Sequence, residues 1–72
     1  MKYYDVHVKF PRGGYSICVC TQEDLTEEEI IDLIPQSEFE EMQDRELVDY
    51  IDVLTENEAF EWFGKDRIIK LN

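Results

Sequence analysis

Four side chains in the first twenty residues are of types that bind metal: Asp5, His7, Cys18 and Cys20. If the two stretches carrying them pair as a hairpin, all four leave one face. His7 then stands opposite Cys18 and Asp5 opposite Cys20, with cross-strand Cβ atoms roughly 4.5–5.5 Å apart. All are acceptable zinc ligands by type. Four ligands on a flat ribbon nevertheless resist a tetrahedral arrangement, since structural sites usually draw their ligands from a turn or knuckle. The expectation is a half-exposed sheet face with a lone histidine, and neither metal nor cofactor. Cysteines two apart on a strand rarely form an unstrained disulfide, so reduced thiols are expected.

Catalytic constellations are sparse. His7 is the only histidine, and no serine lies in a nucleophile elbow. Gly13-Gly14 lacks the lysine and following helix of a phosphate-cradling loop. Carboxylates are plentiful, but acid–base catalysis needs a pocket that separates their pKa values. A chain this short seldom encloses one. The sequence reads as non-enzymatic.

The carboxylates themselves are the stronger signal. Among 72 residues, 18 are acidic and 7 basic, for a formal charge of −11. Lys2, Lys9 and Arg12 against Asp5 leave residues 1–20 at +2, and Lys65, Arg67 and Lys70 against Asp66 leave 64–72 at +2. Residues 21–63 hold sixteen acids and only Arg45, a net of −15. Such a surface repels nucleic acid and steers a basic partner toward itself. Glu27, Glu28, Asp32, Glu40, Glu41, Asp44 and Glu61 are the candidate contact residues. Keeping a small protein soluble is the competing explanation of the charge.

The elements that must position these groups follow from periodicity. Residues 3–10 alternate, with Tyr4, Val6, Val8 and Phe10 on one side, and 15–21 alternate again, so a β-hairpin is expected. Closing it with Phe10 opposite Tyr15 sets Val8 against Ile17 and Val6 against Val19. Thr26 with Glu29 is a capping box opening a helix that stops at Pro35. Ser37 with Glu40 repeats the pattern, with Phe39 and Met42 as anchors of one more turn. Residues 47–54 fit a helix by spacing, but Thr55 followed by Glu58 is a fresh cap, which favours a third strand ending there. A second helix follows over 56–63, closed by Gly64, and 67–71 can add a short edge strand. Phe60 and Phe63 read as core, whereas Trp62 points partly elsewhere and is a candidate interface anchor. The fold class is α+β: one domain over 1–72, a small antiparallel sheet with two short helices on one face, in the order β-β-α-β-α-(β).

Tyr4-Asp5-Val6-His7-Val8 through Thr26-Glu27-Glu28-Glu29, a hairpin followed by an acid-rich capped helix, resembles the small DpnD/PcfM-like proteins of phages and conjugative elements. The resemblance covers the first half of the chain. It departs in the Pro11–Gly14 turn, the paired cysteines and the second half, and carries over no functional residue. It implies a mobile-element origin, a setting in which small acidic proteins often inhibit host restriction or CRISPR machinery. The expected function is therefore binding: the acidic segment occupies a basic site on a nucleic-acid-handling protein. The alternative is a structural role through sheet-edge pairing or homo-oligomerisation. The expected partner is a protein with a basic surface, without direct nucleic-acid or membrane contact, and monomer and homodimer stay open. No apolar run approaches a membrane span or a signal peptide, so a complete cytoplasmic product is expected.

Overall fold

A computed structural model describes all of residues 1–72. Strand β1 (Lys2–Phe10) and strand β2 (Gly13–Thr21) form the hairpin. Helix α1 (Glu27–Leu33) and two 3-10 turns, Gln36–Glu38 and Met42–Leu47, lead to strand β3 (Val48–Leu54). Helix α2 (Glu56–Phe63) and a third 3-10 turn, Lys65–Arg67, lead to strand β4 (Ile69–Lys70). The sheet order is β3-β1-β2-β4. No helix is long and apolar enough to cross a membrane.

The α+β class and the strand at the third position stand as expected, and both threonine capping boxes form. Thr26 accepts from the Glu29 N–H while the Glu29 carboxylate accepts from the Thr26 N–H, and Thr55 and Glu58 do the same. The Glu29 carboxylate is held below its ordinary pKa by the backbone N–H of Thr26. Ser37 with Glu40 does not repeat the device: Ser37 lies inside the 3-10 turn Gln36–Glu38, whose N-terminus is Pro35 and has no side-chain cap. Of that turn's two expected anchors Phe39 is buried, but Met42 lies in the open at 83% exposure.

The hairpin register differs by two residues from the sequence expectation. Val8 faces Tyr15, Val6 faces Ile17 and Tyr4 faces Val19. Hairpin turns demand positive φ, which L-residues resist. Pro11 and Arg12 both keep negative φ, so the demand falls on Gly13 and Gly14, which enter β2 as its first residues. A Cβ on Gly14 would lie 2.1 Å from the Val8 carbonyl oxygen, so only glycine fits there. A shift of two leaves every side chain on its intended face. It does change neighbours: His7 now faces Ser16, and Asp5 faces Cys18.

Two further corrections concern the layers. The helices do not share a face. Ile30 and Ile34 of the α1 region, with Phe39, cover Tyr4, Val6, Val8, Ile17 and Val19. Ala59 of α2 packs on the opposite face against Tyr3, Cys18, Cys20 and Leu54, with Phe60, Phe63 and Ile68 around it. That second face is thus covered where a half-exposed one was expected. The reason is topological. Chain from β2 crosses β1 on one side to reach β3, and chain from β3 returns across the sheet to β4 on the other. The sheet is also mixed, because β4 runs parallel to β2, with Val19 beside Ile69 and Cys20 beside Lys70.

A seven-residue helix holds its shape only through such packing. Ile30→Ala should lower stability by about 2–4 kcal/mol in urea denaturation, a large fraction of what a domain this size has. An unchanged midpoint would show that α1 does not carry the first core.

Candidate functional site

On the α1 side the carboxylates form a solvent-facing layer. Glu27, Glu28 and Asp32 are exposed on α1, and Glu38, Glu40, Glu41 and Glu46 on the connection that follows it. The connection is tied to the helix by Arg45, whose guanidinium donates to the carbonyls of Ile31 and of Ile34 (2.8 Å) and to Gln36 Oε1 (3.5 Å). It also lies 4.7 Å from the centre of the Phe39 ring. A cation at a helix C-terminus suits the carbonyls left unpaired there. The one basic residue of the acidic segment is therefore spent on backbone and not on a carboxylate. The only Lys- or Arg-to-carboxylate ion pair is Lys2 with Asp24, outside this layer.

Not every expected contact residue joins it. Asp44 is 1% exposed, so its place among surface residues is corrected. Tyr15 donates its hydroxyl to Asp44 Oδ2 at 2.6 Å, and the Glu41 N–H donates to the same oxygen at 3.1 Å. The Tyr15 oxygen in turn accepts from the Glu40 N–H at 3.0 Å. Asp44 pins the connection to the hairpin. Burial, and after it the bond to Asp44, pushes the Tyr15 phenol up to about 12. Glu61 and Trp62 are exposed, Trp62 at 59%, but they ride on α2, which covers the other face of the sheet. They are not continuous with the α1 layer.

Of the four candidate metal ligands on the hairpin, Asp5, His7, Cys18 and Cys20, only two come together. Asp5 and His7 meet, but their third companion is Asp52 of β3, directly opposite Asp5. Cys18 and Cys20 are free thiols buried under α2. Burial, reinforced by Asp5, pushes Cys18 up to about 11, and burial also raises Cys20. These are packed thiols in their protonated form. Asp52 is absent from the candidates that local sequence offers. The signal for it was there, since Tyr50, Asp52 and Leu54 alternate on β3 and share one face. Only the pairing of β3 with β1 brings Asp52 to Asp5 and His7.

Comparison with family models, with curated proteins and with solved structures finds no match.

The Tyr15–Asp44 contact has a pH signature. The native contact uses the neutral phenol, whose folded pKa lies above the unfolded value near 10. Its stabilisation is complete below pH 10 and is lost as pH rises through about 12. Tyr15→Phe should lower stability at pH 7 by about 1.5–3 kcal/mol, as loss of a bond to a charged group does. The variant's denaturation midpoint should also fall less steeply across the alkaline range than the wild type's. Parallel pH curves for the two proteins would contradict the assignment.

Proposed function

We propose that the α1-side layer is a protein-binding surface, and that its partner is the basic site of a nucleic-acid-handling protein. The observation that carries this reading is the unpaired state of the layer. Glu27, Glu28, Asp32, Glu38, Glu40, Glu41 and Glu46 are exposed, and no Lys or Arg of the chain neutralises them. Mutual repulsion among them costs stability, and a cationic receptor relieves it. Such a layer raises the local potential and speeds encounter with a positive cleft. Its binding energy is that of phosphate contacts with the signs exchanged, in which closing two oppositely charged surfaces releases counterions from both. By occupying the cleft, the protein competes with nucleic acid. Inhibition of host restriction or CRISPR machinery is the setting that the resemblance to mobile-element proteins implies. The activity is binding, without catalysis, in the cytoplasm.

Edge pairing is a second reading, and β3 favours it. This strand lies at the edge of the sheet, with Val53 at 76% and Tyr50 at 49% exposure. Opposing it, the register shifts between His7 and Val8, and Asp49 and Asp52 stand exposed on the same strand. Irregularity and charge of this kind protect edges from pairing. Edge pairing would show as a mass that doubles with concentration.

Capture on the immobilised protein, followed by elution with duplex DNA, tests the favoured reading. A nucleic-acid-binding protein should be retained, released by DNA, and lost when Glu27, Glu28, Asp32, Glu40 and Glu41 are all replaced by glutamine. A Glu61→Gln variant should retain it, because Glu61 lies on the far side. Capture of indiscriminately cationic proteins alone, or retention that survives the five substitutions, would overturn the reading.

A further inference from the structure

Asp5 and His7 alternate on β1, so their side chains leave the same face, and Asp52 joins them from β3. One atom from each comes within 4.8 Å of the others, and His7 Nε2 lies 3.2 Å from Oδ2 of both aspartates. A ring nitrogen carries at most one hydrogen, so one imidazole position faces two carboxylates and can fully satisfy one. A second observation is independent of this crowding. The Asp5 side chain is only 10% exposed, and its other oxygen, Oδ1, is buried with no hydrogen-bond partner. A carboxylate left in that condition is unfavourable unless something of opposite charge compensates it.

We propose that Asp5, His7 and Asp52 bind a divalent transition-metal ion, with Zn²⁺ the best match. The spacing fits. With metal–ligand bonds of about 2.0–2.2 Å, neighbouring ligand atoms on one ion lie about 3.0–3.5 Å apart. Both separations from His7 are 3.2 Å, and the two aspartate oxygens, within 4.8 Å of each other, close on the ion by rotation of the exposed Asp52 side chain. One divalent charge offsets two carboxylates, including the buried one. The imidazole nitrogen selects against Mg²⁺ and Ca²⁺, which take oxygen ligands.

The ring is held for this role from two sides. Ser16 Oγ lies 3.3 Å from Nδ1, placed to accept its hydrogen and leave Nε2 free for a metal. Tyr50 stacks on the ring at 4.1 Å and 20°. All the donors sit on paired strands, where geometry is firmer than on loops. Cys18 on β2 faces Asp5 on β1, but its sulfur is not among the converging atoms. The site is one nitrogen and two carboxylates, open to solvent on the Asp52 side, where that side chain is 57% exposed.

The test is calorimetric titration of the full chain with Zn²⁺, together with NMR of the His7 ring, which is the only histidine signal. One ion should bind per chain and shift that ring's resonances. Co²⁺ at the same site should lack a thiolate charge-transfer band. His7→Gln and Asp52→Asn should each weaken Zn²⁺ binding at least tenfold, and Ser16→Ala about tenfold, as loss of an outer-shell partner does. Asp49→Asn should leave it unchanged. Asp52 is the preferred carboxylate to replace, because removing the buried Asp5 risks the fold. An unperturbed His7 ring would overturn the site, as would equal affinity in Asp52→Asn. So would a thiolate band abolished by Cys18→Ser.

Discussion

The structure depends on one strand being buried on both faces. β1 lies between β2 and β3, and successive side chains point to opposite layers. Tyr4, Val6 and Val8 enter the core under α1, while Tyr3 enters the one under α2. A chain of 72 residues cannot build a thick core, and it builds two thin ones back to back. Each helix is held by a few contacts. Tyr3 secures α2, meeting Phe60 edge-on at 5.8 Å and donating its hydroxyl to Glu56 at 3.2 Å. A polar residue in the middle of β1 is consequently drawn toward the interior, which is how Asp5 comes to be buried while Lys2 and Lys9 near the strand ends stay exposed.

That constraint separates what the sequence makes legible from what it hides. Local devices read well. The Thr26 and Thr55 boxes, the alternation of β1 and the cap that ends β3 all act within a few residues. The hairpin register is harder, because whether Gly13 and Gly14 form the turn or enter the strand depends on which residues accept positive φ. Asp44 resembles its acidic neighbours in every local respect. What buries it is Tyr15, 29 positions earlier. Asp52 and His7 are 45 apart, and only the β1–β3 pairing joins them. The covered second face escapes a local reading for the same reason, since nothing within β1 or β2 announces α2.

Electrostatics follow from the layering. Dividing the helices between two faces divides the acidic residues as well, and the proposed contact surface contracts to α1 and the connection. Arg45 is central here, because its bonds to the α1 carbonyls hold the connection in place without cancelling any carboxylate. The Asp5–His7–Asp52 cluster belongs to the opposite face of the sheet. The proposed partner surface and the proposed metal site thereby lie on opposite faces of the sheet.

The most direct measurement is the affinity for the captured partner across a series of salt concentrations. If an unpaired carboxylate layer closes on a cationic cleft, log affinity falls linearly with log salt, with a slope set by the number of charges that meet. Replacing the α1-side glutamates should flatten that slope. An affinity indifferent to salt would contradict the electrostatic account and move the contact to apolar or edge-strand surfaces.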